Sequence, residues 1–159
     1  MPDMFVNLLK LPDDREEVER LKSEGILIRR ARPLERSVVR RYVLSKFSEI
    51  WADELDQAFS FQPPTAFIAT HEKKIIGFGT YETTCLDFFG PTGVNEEYRG
   101  KGIGKALLIA CLRAMREKGY AYGIIGGVGP ADFYAKCVGA TLIPDSTPGI
   151  YTDMLERNA

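Results

Sequence analysis

The chain has 159 residues, 45% of them hydrophobic, and a formal net charge of −1. That is one domain's length, and folding at this size buries roughly 70% of the unfolded surface. A net charge near zero excludes an overall field drawing the protein to nucleic acid or an anionic membrane.

No run of about 18 apolar residues occurs, and Met1-Pro2-Asp3-Met4-Phe5 has no charged leader pattern, so neither a membrane span nor a secretory signal is expected. Cys85, Cys111 and Cys137 are odd in number and far apart. That fits neither a disulfide framework nor a zinc cluster, and reduced thiols in a cytoplasmic protein are expected.

In chain order, Phe5 to Leu11 is apolar enough for a short strand. Pro12-Asp13-Asp14 then opens a charged helix with Val18 and Leu21 inward and Gly25 at its end. Ile26 to Ala31 reads as a strand, and Pro33 suits the first turn of a helix that repeats Val38, Val39, Tyr42 and Val43 at helical spacing. Ser48 is the N-cap expected for a further helix carrying Trp51, Leu55 and Phe59 on one face, with Pro63-Pro64 closing the block.

Ala66 to Ala69 and Ile75 to Tyr81 read as two strands joined by the polar turn His71-Glu72-Lys73-Lys74. Leu86 to Val94 reads as a strand that Gly90-Pro91 must bulge or break, because proline cannot donate to a ladder. Ile103, Ala106, Leu107, Ala110, Cys111 and Ala114 mark a buried helix face ending at Gly119. A glycine-rich strand (Tyr122 to Val128), a short helix from Pro130 to about Gly139, and strands at Thr141 to Ile143 and Gly149 to Leu155 complete the pattern.

The run Arg99-Gly100-Lys101-Gly102-Ile103-Gly104-Lys105 enters the long helix directly. It offers bare backbone N–H groups at a helix N-terminus, which is an anion site. A P-loop would need a glycine where Arg99 stands and Ser or Thr where Ala106 stands. A dinucleotide fingerprint starting at Gly100 would need glycine at Lys105. Both are excluded by spacing.

With the preceding Val94-Asn95-Glu96-Glu97-Tyr98, this loop resembles the acyl-CoA-binding motif of the GCN5-related N-acetyltransferases, a valine-ended strand followed by R/Q-x-x-G-x-G/A. Arg99, Gly102 and Gly104 stand at its three defining positions. Phe133-Tyr134-Ala135-Lys136 ahead of Gly139-Ala140 resembles the family's second motif, F-Y-x-K-x-G-F, with one extra residue before Gly139. Many members carry Asn where Gly127-Val128-Gly129-Pro130 stands here.

The resemblance implies a single α/β (α+β) domain with a mixed, mostly antiparallel sheet and helices on both faces. It covers residues 26–159, preceded by a β-α extension at residues 1–25 that would cover an edge strand or form a homodimer contact. It implies acetyl-CoA as co-substrate and an amine acceptor attacking the thioester directly, with no metal. Thr92, Val94, Arg99, Gly100, Lys101, Gly102, Ile103, Gly104 and Lys105 would hold coenzyme A. Pantetheine would wedge between the strand ending at Val94 and the glycine-rich strand.

Tyr134 would be the general acid, since a phenol near pKa 10 is protonated at neutral pH. Glu82 or Asp87, both near the expected site, would be the base that takes the amine proton. A backbone N–H near Thr92 to Val94 would meet the oxyanion. The readings beside this one are a module that binds acyl-CoA without turnover, and an enzyme using another acyl donor or a hydroxyl acceptor. His71 reads as a solvated turn residue, Trp51, Phe59 and Phe61 as core, and the arginines at 29, 30, 32, 36, 40 and 41 as outward-facing positions, while the resemblance implies that the segment around the second helix lines the acceptor pocket. The acceptor itself is not readable from the sequence.

Overall fold

A computed structural model describes residues 1–158. The chain runs β1 (Met4–Asn7), α1 (Arg15–Ser23), β2 (Ile26–Arg30), α2 (Arg36–Lys46), α3 (Glu49–Ala58), β3 (Ala66–His71), β4 (Lys74–Tyr81) and β5 (Phe88–Val94). It continues through α4 (Ile103–Lys118), β6 (Tyr122–Ile125), α5 (Ala131–Val138) and β7 (Thr141–Leu142). The strands form one sheet in the order β2-β3-β4-β5-β6-β1-β7. Every neighbour pair is antiparallel except β5 with β6.

The local signals act where they stand in the chain. The Ser48 hydroxyl accepts the Trp51 N–H and caps α3. The turn between β3 and β4 has its two central residues at positive φ, Glu72 at 51° and Lys73 at 64°, which is a tight hairpin turn matched to strand twist. The β4–β5 ladder shifts register between Gly79 and Tyr81. The carbonyls freed at this bulge are taken by hydroxyls, Thr80 Oγ1 bonding Pro91 O at 2.9 Å and Thr83 Oγ1 bonding Gly90 O at 3.1 Å.

Helices cover both faces. A Cβ on Gly77 would stand 3.2 Å from Leu107 and one on Gly79 3.4 Å from Cys111, so these two glycines let α4 lie close against the sheet. Phe78, between them, points the other way and packs with Tyr42, Phe47 and Trp51 from α2 and α3. Leu21 of α1 shares a core with Leu107 and Ala106 of α4, and Tyr134 and Val138 of α5 pack with Leu108 and Leu112.

The extension at residues 1–25 puts β1 along the free edge of β6, where it joins the sheet between β6 and β7. One part of the sequence reading differs from the fold. The stretch from Gly149 to Leu155 forms no strand, only a short 3-10 turn at Gly149–Tyr151 followed by irregular chain. With β1 on β6, that edge is not open to a returning C-terminal strand. The C-terminal segment crosses instead towards α3, where Arg157 bonds Glu49 at 2.9 Å and Asp53 at 2.7 Å.

The arginines largely pair as structural groups, Arg29 with Glu35, Arg36 with Asp56 and Arg40 with Asp53. All three cysteines are free thiols. Among the described residues no helix is long and apolar enough to cross a membrane.

Candidate active site

Strands β5 and β6 pair only at Phe88–Ile124 and Phe89–Ile125 and then part. Gly90 at φ 115° and Gly127 at φ 53° carry the two chains away from each other. The parting opens a cavity of about 1080 Å³, at the upper limit of ordinary ligand pockets of roughly 300–1,000 Å³.

One side of the cavity is an unpaired strand edge. Asn95 N–H bonds Ile76 O on β4 at 2.8 Å. Successive strand residues present their N–H groups to alternate edges, so Val94 and Thr92 turn theirs towards β6, which is no longer there to accept them. Both residues line the cavity. These are hydrogen-bond donors aimed into an open gap.

The end of the cavity is the start of α4. Gly100 and Gly102 adopt left-handed φ of 82° and 88°, a conformation that costs other L-residues about 1–2 kcal/mol. The first intrahelical bond is Ala106 N–H to Gly102 O at 3.1 Å. The N–H groups of Ile103, Gly104 and Lys105 therefore have no partner within the helix and carry the positive end of its dipole. Arg99, Gly100, Gly102, Ile103, Gly104 and Lys105 all line the cavity. A phosphate-bearing group fits this cradle on charge and on backbone geometry.

Lys101 departs from the expectation. Its carbonyl accepts Arg20 Nη2 at 2.8 Å, its ammonium lies 4.0 Å from Glu24, and its side chain is directed to α1 rather than to the cavity.

Tyr134 projects from α5 into the same cavity and is 7% exposed. Its ring packs edge-on against Phe89 and Phe133, with centroids 6.3 and 5.1 Å away. Burial pushes its phenol pKa up to about 12, with a smaller contribution from Cys137. The hydroxyl thus stays protonated across the physiological range and can donate.

Glu82 and Asp87, the two expected base candidates, do not reach the cavity. Glu82 opens the β4–β5 loop and is 3% exposed. It is paired with Lys118 and accepts Tyr120 Oη at 2.7 Å and Asp87 N–H at 3.0 Å. Burial opposes its ionisation, but these three donors outweigh it and hold the carboxyl below its ordinary range.

Asp87 is pushed up to about 6, first by burial and then by the Glu82 charge, and its Oδ1 is buried without a partner. The sign follows from a folded pKa above the unfolded one: Asp87 favours the fold fully below about pH 4, and that contribution is lost as pH rises through 6. Asp87→Asn keeps a residue that tolerates the local φ of 64°. It should raise Tm above pH 7 by roughly 3 °C, for about 1 kcal/mol after solvent screening, with the gain vanishing at pH 4. Thermal melts of the pair across pH 4–8 check this.

The carboxylate that does line the cavity is Glu54 of α3. It accepts a hydrogen bond from the Thr84 hydroxyl, and burial raises its pKa despite that bond and the more distant Arg157. The sequence takes the apolar stripe of this helix as core, and the resemblance places the segment beside the acceptor, but neither singles out Glu54. The available signal was an acid three residues after Trp51, hence on the same side of the helix as the apolar stripe. Trp51 is both core and cavity wall. His71 is not simply solvated: its Nδ1 lies 2.8 Å from the hydroxyl of Tyr98, which itself lines the cavity.

The sequence model of the acetyltransferase (GNAT) family matches residues 36–139, which is 104 of the 159 residues. No curated protein matches the chain. The GCN5-related glucosamine N-acetyltransferase region of a fungal multi-domain β-N-acetylglucosaminidase superposes with a TM-score of 0.72 at 16% identity, over 89% of this chain and 19% of that one. A GCN5-related N-acetyltransferase from Sphaerobacter thermophilus gives 0.63 at 20% identity, over 89% of this chain and 48% of that one. The chain therefore spans between about a fifth and a half of these two proteins. A polyamine N-acetyltransferase from Drosophila melanogaster gives 0.50 at 16% identity, over 60% and 72%. Sequence match, sheet topology and the glycine turn opening α4 converge, and the chain belongs to the GNAT acetyltransferase family.

Proposed function

We propose that this protein transfers an acetyl group from acetyl-CoA to an amine by direct attack on the thioester, with Tyr134 as general acid. The observation that carries the reading is a single cavity bounded by the α4 N-terminal cradle, the unpaired N–H edge of β5 and the Tyr134 side chain. The cradle, with Arg99 and Lys105, would hold the pyrophosphate of the donor, and the Thr92 and Val94 amides would bond its pantetheine arm. An N–H of the same edge would stabilise the oxyanion as the carbonyl carbon becomes tetrahedral. Tyr134 would protonate the departing sulfur, a task suited to a buried phenol that is neutral at working pH.

A thiol-release assay with acetyl-CoA and a panel of amines, run beside calorimetric titration of coenzyme A, tests this. Amine-dependent thiol release is the expected result. Tight coenzyme A binding with no release for any amine would replace the reading with a binding module. Release with longer acyl-CoA donors only would reassign the donor.

A further inference from the structure

Four acids lie on α3, and three of them are claimed from outside. Glu49 and Asp53 bond Arg157, Asp53 also bonds Arg40, and Asp56 bonds Arg36. Glu54 is the exception. It turns inward, its hydrogen-bond partner is the uncharged Thr84 hydroxyl, and it is the one carboxylate lining the cavity among the described residues.

The side-chain cations lining the cavity among the described residues, Arg99 and Lys105, both belong to the α4 cradle. The side chains of the cavity are therefore divided in charge, with positive groups where the donor's phosphates would sit and, on α3, a single carboxylate that makes no ion pair, Arg157 acting on it only from a distance. A half-buried carboxylate without a direct ion-pair partner is unfavourable. A bound cation relieves it.

The surroundings of Glu54 restrict that cation. Trp51 lies one helical turn away on the same side. Tyr151 stands where a Cβ on Gly126 would be 3.3 Å from its hydroxyl, and it is close enough to Glu54 for that charge, after burial, to raise its phenol pKa. Ile50 and Pro148 complete an apolar wall. Among the described residues no second acid side chain lines the cavity to receive another positive charge, and no basic side chain outside the α4 cradle lines it to receive a carboxylate.

We infer that the acceptor is a small primary amine with one positive charge on an apolar or aromatic frame, its ammonium held by Glu54 and its frame packed between Trp51 and Tyr151. This rests on the acyltransferase reading above. Glu54 then serves twice. It binds the ammonium and accepts one of its protons, which passes to water. The freed lone pair attacks the thioester carbon, and the C–N bond forms as the C–S bond breaks. Tyr134 gives its proton to sulfur and is restored by the second proton leaving nitrogen. The products are an amide, a thiol and one proton released.

The test compares acetyl-CoA turnover with 2-phenylethylamine, spermidine, L-glutamate and a lysine-containing tripeptide. The expected result is a kcat/KM for 2-phenylethylamine at least tenfold above the other three. Glu54→Gln should raise the KM for it at least tenfold and remove the acid limb of its pH profile, with coenzyme A affinity unchanged. Preference for any of the other three acceptors, or a KM within twofold in Glu54→Gln, would overturn the inference. Should no acceptor turn over, the acyltransferase reading fails by itself. Titration of 2-phenylethylamine into the coenzyme A-saturated protein then decides the amine site: binding that weakens at least tenfold in Glu54→Gln supports it, and absence of binding overturns it.

Discussion

Replacing Tyr134 by phenylalanine is expected to lower turnover by about two orders of magnitude, the lower range of what a positioned general acid contributes. Coenzyme A affinity should hold, because the phosphate cradle is built from backbone of α4 and the preceding loop, not from α5. Stability should hold too. The ring makes edge-on contacts with Phe89 and Phe133 that phenylalanine preserves, and the hydroxyl makes no hydrogen bond to another described residue that its loss would orphan.

The pH profile separates chemistry from packing. With the phenol pushed up to about 12 by burial, Tyr134 stays protonated, so turnover should show no loss attributable to it below about pH 11. Single-turnover thiol release, measured on wild type and Tyr134→Phe from pH 6 to 10, checks this. A variant retaining more than half of wild-type turnover would remove Tyr134 from the chemistry.

The legible parts of this protein are those whose causes are local. Ser48 caps α3 because a hydroxyl three residues before an N–H can reach it. Gly90-Pro91 disrupts the β4–β5 ladder because proline lacks a donor. Arg99 to Lys105 forms a cradle because glycines at 100 and 102 can take the left-handed turn before a helix.

What escaped depends on which distant segments meet. Nothing in Met4–Asn7 says that it will lie between β6 and β7, since a short apolar strand pairs with whichever edge is free. Once β1 holds that edge, the C-terminal residues lose their place in the sheet and Tyr151 becomes a cavity wall instead. The three carboxylates make the same point. Glu82 looked near the chemistry because it follows a central strand, but Lys118 and Tyr120, more than thirty residues later, claim it. The resemblance puts the segment carrying Glu54 near the acceptor, and only the fold distinguishes Glu54 from its three arginine-paired neighbours.

Gly102→Ala and Gly104→Ala lie two positions apart and should behave in opposite ways. Gly102 holds φ 88° at the N-cap of α4, so any Cβ there is strained by about 1–2 kcal/mol. Relief of that strain would rotate the N–H groups that follow it. Coenzyme A affinity should fall by one to two orders of magnitude, since the anion depends on several of those groups together.

Gly104 is already helical, and a Cβ there would meet Phe133 at 3.6 Å and Val94 at 3.8 Å, ordinary contact distances. Alanine in a helix is favoured over glycine by about 0.5–1 kcal/mol. Gly104→Ala should therefore melt slightly higher than wild type and keep its coenzyme A affinity within a few-fold. Calorimetric titration of coenzyme A beside thermal melts of both variants reads the two effects separately. Equal affinity in Gly102→Ala and wild type would mean that the left-handed turn does not aim the amides, and the phosphate site would have to be sought at the Arg99 and Lys105 side chains instead.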